Sequence, residues 1–340
     1  MPFIDNLLQY SSLSIVGMEK NTGKTECMNY IIRRLKGIHK RIAITSIGID
    51  GENLDQVTST HKPEIQLYNN TVFVTSEKHY RERQLVSEIL DLSERQTSLG
   101  RLVTAQVILS GKVILSGPTT KVWLKQVVDD LRDRVDLTLI DGALSRKTQA
   151  SPTIAESMIL TTGAALSPNL MELTRKTKFF YNLLQLPVYQ HNNSKLLENI
   201  ESGIFAIDSE KQPHQLDIPS TLLLNKYKDS IFTFGTTLYI AGIITDNILN
   251  FMRMQKKIRE TILIVKDFSK IFVTPEAYYS YIQSGGKLLV LLKNELVAIC
   301  VNPTSPNGYT LDSEKLCDTL RESIGIPVYD VIKIQNQTHF

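Results

Sequence analysis

The chain has 340 residues, which at roughly 150 residues per domain is room for about two domains with substantial cores and excludes a small stapled scaffold. Charged residues make up 21% and hydrophobic ones 42%, a composition that excludes wholesale disorder. Lysines and arginines number 38 against 35 aspartates and glutamates, a net +3 with no block of like charge, so nucleic acid is not expected as a partner.

Residues 12–16 are a short β-capable run ending at Gly17, and a helical pattern starts near Gly23 and continues through Met28, Ile31, Ile32 and Leu35. Residues 41–47 (RIAITSI) are apolar or β-branched at most positions, the pattern of a buried parallel strand. The spacing then predicts two hairpins, 65–68 with 71–75 about Asn69-Asn70, and 102–109 with 112–115 about Ser110-Gly111. Helices are expected near 82–92 and, with Thr119 as N-cap, through Leu131, so residues 52–112 read as an antiparallel insertion. Parallel character returns at 137–141 (LTLID) and 157–162 (SMILTT), followed by a helix over 168–184. The polar stretch 201–215, with Gly203 and Pro213, marks a loop or a domain seam. Beyond it, strands are expected at 237–245, 262–265, 288–292, 297–301 and 328–332, with helices at 246–258, 275–283 and 312–323. The expectation is an α/β fold in two parts: residues 1–200, carrying the insertion, and residues 216–340, a C-terminal α/β domain or sheet extension.

Between the first strand and helix, Gly17-Met18-Glu19-Lys20-Asn21-Thr22-Gly23-Lys24-Thr25 reads G-x5-G-K-T, one residue longer than the usual G-x4-G-K-[ST] phosphate loop. Glycines at such a turn let backbone N–H groups, here those around Asn21, Thr22 and Gly23, close on a polyphosphate at the positive end of the following helix. Lys24 is expected to reach the β- and γ-phosphates and the Thr25 hydroxyl to ligate Mg²⁺. Asp141, at the tip of the apolar strand 137–141, has the form of a carboxylate that holds Mg²⁺ through water, although Asp-Gly is also a plain turn signal. Asp50 follows the second strand, where a carboxylate could orient water or sit on the metal, and it is equally readable as a loop residue. These features predict a mostly parallel P-loop NTPase fold flanked by helices, with ATP (GTP as the alternative) and Mg²⁺ as cofactors.

Weaker candidates are Asn302 in Asn302-Pro303, whose amide can read a purine edge or simply start a turn, and Arg146, which follows Asp141. Asn225-Lys226-Tyr227-Lys228-Asp229 resembles the guanine-reading NKxD with its aspartate one place late. The six histidines show no HxxxH or HxH spacing, and Cys27, Cys300 and Cys317 are far apart with no CxxC, so neither a zinc site nor a disulfide framework is expected. No apolar run nears the ~20 residues that span a bilayer. No lysine or arginine precedes Lys20, so a secretory leader is not expected. The reading is a cytoplasmic protein without a membrane partner.

The loop resembles the GTDTxVGKT loop of dethiobiotin synthetases, which share a broad division of P-loop proteins with the MinD and ParA ATPases. Lys20 is similar to the second, signature lysine of that division but lies four residues before Lys24 rather than five. VGMEKNTGKTE, ITSIGIDGE, TSTHKPEI, LIDGALSRK, LTTGAALS and VNPTSPNGY followed by IPVYDV, spread in order from Gly17 to Val331, together resemble the P-loop (KamB-like) subunit of the reactivase for cobalamin-dependent lysine 5,6-aminomutase. The resemblance implies a chaperone-like ATPase that acts with a companion ATPase subunit to expel damaged cobalamin from the aminomutase. It implies nucleotide roles for Gly17, Gly23, Lys24, Thr25, Asp50 and Asp141, and assigns no residue to cobalamin. A small-molecule ligase of dethiobiotin synthetase type and a nucleotide-binding scaffold remain as alternatives, a homo-oligomer is allowed, and insertion 52–112 is expected to couple nucleotide state to a protein partner.

Overall fold

Hydrophobic side chains recur along the first two-fifths of the chain with period two in some segments and near 3.6 in others, and the elements follow that alternation. The computed structural model describes residues 3–36, 38, 40–48, 64–143, 151–191, 194–218, 221–228 and 230–337. It divides into two units, 1–178 with 294–340, and 179–293. The first begins with α1 (Ile4–Leu7), β1 (Ser12–Gly17), α2 (Lys24–Leu35), β2 (Ile42–Ser46), β3 (Ile65–Leu67), β4 (Val72–Ser76) and α3 (Glu77–Arg81). It continues with β5 (Gln84–Thr97), β6 (Gly100–Val113), α4 (Lys121–Arg132), β7 (Leu137–Ala143), β8 (Ser157–Gly163) and α5 (Leu170–Leu184), along which the chain passes into the second unit. The second holds α6 (Ser194–Glu198), β9 (Ile204–Ile207), β10 (Pro213–Gln215), β11 (Thr237–Ile240), β12 (Ile244–Thr245), α7 (Asp246–Arg253), β13 (Ile262–Val265), β14 (Ile271–Phe272), α8 (Pro275–Gln283) and β15 (Lys287–Val290). The chain then returns to the first with β16 (Glu295–Asn302), α9 (Ser313–Ile324), β17 (Val328–Tyr329) and α10 (Val331–Gln337).

The first sheet runs β17-β16-β8-β1-β7-β2-β4-β6-β3, with β5 on β6. Every pair from β17 to β4 is parallel, and the pairs of β6 with β3, β4 and β5 are antiparallel. Successive side chains leave a strand on opposite faces. Leu13, Ile15, Ile44, Phe73 and Leu139 therefore pack with Met28, Ile31 and Leu35 of α2, while Ala43, Val72 and Val74 pack with Trp123 and Leu131 of α4. Ile140 joins Leu124 and Val128 on that second face. A sheet covered on both sides explains why β1 and β8 are buried at every position. This is the mostly parallel, helix-flanked α/β fold expected, with an antiparallel wing.

Five details depart from expectation. β3 and β4 are not a hairpin: both run antiparallel to β6 in one register, with Ile65 opposite Val113 and Val72 opposite Gln106. Asn69-Asn70 instead makes a jog in which Asn70, at φ 66, donates its N–H to the Val107 carbonyl; residues tolerant of positive φ serve a bulge as readily as a reversal. The helix expected over 82–92 is strand β5, because pairing along fourteen residues of β6 outweighs the local helix preference of its Glu and Leu residues. The reversal lies at 98–99 rather than at Ser110-Gly111, and Gly111 sits inside β6 where any Cβ would strike the Gln84 carbonyl.

The fourth departure is the domain boundary. Of the two alternatives for the C-terminal part, residues 294–340 follow the sheet extension and not a separate domain starting at 216: β16 lies beside β8, from Glu295 opposite Ser157 to Asn302 opposite Gly163. A buried parallel strand carries no local mark of which neighbour it pairs with, so nearness in sequence misled. The fifth is the last strand, which ends at Tyr329 because Asp330 accepts the N–H groups of Ile332 (3.1 Å) and Lys333 (3.0 Å) and starts α10. Of the insertion 52–112, residues 64–112 carry the antiparallel pairing, and the remainder, like Asp50, lies outside the described residues.

The second unit has its own sheet, β10-β9-β11-β13-β15, in which β11, β13 and β15 are parallel. Leu238, Ile240, Leu263, Val265, Leu288 and Val290 face Ile248, Met252, Tyr278 and Tyr281 of α7 and α8. Tyr239 and Ile264 face the opposite side. Among the described residues, no helix is long and apolar enough to cross a membrane.

Candidate functional site

Open parallel sheets bind ligands beyond the carboxyl ends of their strands, and the first unit gathers its predicted chemistry there. β1 lies between β7 and β8, with Ile15 opposite Asp141 and Gly17 opposite both Ala143 and Thr161. Ser46 at the end of β2 faces Asp141 from the other side. Beyond it Gly48 is held by a bond from its N–H to the Pro118 carbonyl (2.9 Å).

From Gly17 the chain makes the loop 18–23 and enters α2 at Lys24. A Cβ on Gly17 would lie 2.7 Å from Thr22 Oγ1 and 2.9 Å from Lys24 Cγ, so glycine is needed for Lys24 to fold over the start of the loop. Asn21 and Gly23 both take left-handed backbone, φ 61 and φ 90. Gly23 is the N-cap of α2 and supplies no capping side chain, which leaves the first N–H groups of the helix directed at the loop. Thr25 is the second residue of that helix. Lys20 is exposed on the loop.

Lys24 Nζ lies 3.8 Å from Asp141 Oδ1, with both side chains partly open to solvent. An ion pair so placed adds little stability, typically about 0–1 kcal/mol. Its two members can exchange each other for stronger partners, the ammonium for a phosphate and the carboxylate for a hydrated cation. A cradle closed to a Cβ, an uncapped helix start, a lysine and a carboxylate therefore fit a Mg²⁺–polyphosphate.

Two neighbours pin the loop. The Asn302 Nδ2 donates to the Asn21 carbonyl (2.9 Å), while its Oδ1 accepts the Thr304 N–H (3.1 Å). The Thr161 carbonyl accepts the Met18 N–H (2.9 Å), and its hydroxyl lies 3.0 Å from Thr22 Oγ1, which itself donates to the Glu19 carbonyl (2.8 Å). Thr161 was not among the sequence candidates; the signal for it is a hydroxyl pair, Thr161-Thr162, directly after the apolar run Met158-Ile159-Leu160 of a buried strand. Beneath the loop, Cys27 and Cys300 meet at 3.5 Å, and the hydrogen bond with Cys27 together with burial pushes Cys300 well above the ordinary thiol range. Asp50, Arg146 and Asp229 lie outside the described residues. Asn225 and Lys226 fall in a 3₁₀ turn, Thr221–Tyr227, of the second unit and not in the unit that carries the loop. No group of three metal-ligating His, Cys, Asp or Glu side chains occurs among the described residues.

By topology and loop this is a P-loop NTPase-type fold. No family model and no curated protein matches the chain. Among solved structures it is similar to pNOB8 ParA bound to nonspecific DNA, at 12% identity over 65% of this chain and 73% of that one, with a TM-score of 0.27. That neighbour is bound to nonspecific DNA, against the expectation that nucleic acid is no partner; that expectation is withdrawn, because it rested on a charge of +3 summed over the sequence, which says nothing of where lysines and arginines gather on a surface.

Proposed function

We propose that the protein binds ATP, or GTP in its place, with Mg²⁺ at the loop from Gly17 to Thr25 and hydrolyses it. The observation that carries this reading is the meeting of Lys24 and Asp141 over a glycine-framed loop at the start of α2. The backbone N–H groups around Asn21, Thr22 and Gly23 bind phosphate oxygens, and Lys24 neutralises the β- and γ-phosphates. Thr25 and Asp141 are the groups that would hold Mg²⁺, which supplies positive charge to the phosphates. Asp50 orients the attacking water.

The finer reading rests on the sequence resemblance: hydrolysis serves another protein, and a cobalamin-dependent aminomutase with a companion ATPase is the first partner to test. DNA belongs in the same test because the structural neighbour is bound to nonspecific DNA. At 100 times its dissociation constant, Mg-ATP should stabilise the protein by about 2.7 kcal/mol. Lys24→Ala should lose about 10- to 150-fold in affinity, the worth of a charge-assisted hydrogen bond. Asp141→Asn should keep the fold and lose Mg²⁺-dependent turnover. Equal thermal shifts in wild type and Lys24→Ala would sink the nucleotide reading. Turnover indifferent to aminomutase, companion subunit and DNA would remove each of them as a partner.

A further inference from the structure

We propose that Thr161 and Asn302 are positioning residues that hold the loop between Gly17 and Gly23 in its phosphate-binding form before any ligand arrives. The proposal rests on the reading of that loop as a triphosphate site. With five residues between its glycines where four are usual, the loop has one more backbone unit to order, at a conformational-entropy cost. The added length is taken up in a turn where Asn21 adopts a left-handed conformation. The Asn21 carbonyl is caught by the Asn302 amide at the end of β16, 281 residues away in sequence. Thr304 fixes the other half of the same amide, and Asn302 Cβ stands 3.1 Å from the position a Cβ on Gly23 would take.

On the opposite side β8 grips the loop through Thr161, whose carbonyl holds Met18 and whose hydroxyl donates to Thr22. The proton count is consistent, since the single Thr22 proton goes to the Glu19 carbonyl. Thr22 and Thr161 are buried, so these bonds do not compete with water. Asn21 and Gly23 are thus set by one strand, and Met18 and Thr22 by another. Asn302 serves the loop backbone rather than a purine edge, so its effect on binding does not depend on the base.

The test measures dissociation constants of ATP, GTP and inorganic tripolyphosphate, each with Mg²⁺, on the full chain. Asn302→Ala and Thr161→Val should each weaken all three ligands equally, by about 2- to 10-fold, the range of one neutral hydrogen bond. Thr161→Ser, which keeps the hydroxyl, should bind like wild type. In the unliganded protein, amide exchange across residues 18–24 should quicken in the two weakened variants. Loss for the nucleotides but not for tripolyphosphate overturns the proposal and makes Asn302 a base reader. Unchanged affinity or unchanged exchange in both variants overturns it too. A wild type that binds none of the three ligands fails the nucleotide reading itself, a result that no clamp defect produces.

Discussion

Two strand-to-helix junctions stand at the carboxyl ends of parallel strands in this chain, and they carry opposite chemistry. After β1, α2 begins with Gly23, Lys24 and Thr25, and its end is left open by a residue without a side chain. After β11, the chain passes through β12 into α7, whose first residue Asp246 takes both the Thr274 N–H (2.7 Å) and the Thr274 hydroxyl (3.0 Å). Thr274 in turn caps α8 by accepting the Ala277 N–H (3.3 Å). The start of α8 is closed by Thr274, which Asp246 holds, and at α7, whose N-cap Thr245 makes no side-chain bond, Asp246 puts a carboxylate in the first turn, where its negative charge disfavours an anion. A parallel α/β sheet therefore does not by itself make an anion site; what fills the first turn of the helix decides.

The contrast breaks most sharply at Gly17. In Gly17→Ala the new Cβ displaces the Lys24 stem or Thr22, so triphosphate affinity should fall at least about 10-fold while urea unfolding stays close to wild type. Binding unchanged by isothermal titration would mean that the loop does not need its close approach.

Asp246→Ala is the complementary variant and should cost the second unit about 1–2 kcal/mol, as lost helix-start bonds do, without altering nucleotide affinity. If that variant instead took up a second equivalent of tripolyphosphate, the carboxylate alone would separate the two junctions, and the glycine loop would count for less than argued.

The smallest effect concerns pH. Burial, aided by the nearby Asp267 and Glu198 carboxylates, pushes the Tyr239 phenol up to about 12, and burial raises Tyr281 as well. The folded form then keeps a proton that the unfolded chain releases near pH 10. The stabilisation is complete below about pH 10 and falls by about 1.4 kcal/mol per pH unit for each such group as pH rises toward 12. Tyr239→Phe, whose hydroxyl makes only a 3.5 Å contact to the Ile200 carbonyl, should reduce that slope with little change at neutral pH. Urea titrations of both proteins at pH 8, 10 and 11 read the difference, and parallel curves would place the alkaline loss elsewhere.

The legible part of the molecule was the centre of the first sheet. The runs that became β1, β7 and β8 are buried on both faces, so their apolar composition alone marks them, and glycine with lysine and threonine marks the loop between β1 and α2. The wing was not legible, because β5 exposes Val86, Ile89 and Leu92 among charged residues and so carries neither a strand nor a helix pattern cleanly. Its structure comes from the length of β6, which offers a ladder to β3, β4 and β5 at once. The boundary at 216 failed for a related reason, since β16 pairs in the same way wherever the chain between it and β8 goes.

What the sequence determined by itself is the chemistry that depends on neighbours within a few residues: the glycines that free the backbone, Lys24 and Thr25 on the first turn of α2, and Asp141 at the end of a strand. What only the tertiary structure decided is which distant groups complete the loop, Thr161 from 139 residues beyond Thr22 and Asn302 from 281 beyond Asn21. A hydrogen bond across that distance leaves no periodicity to read, because its geometry is fixed by how whole strands order in the sheet, and that order is set by the burial of many side chains together.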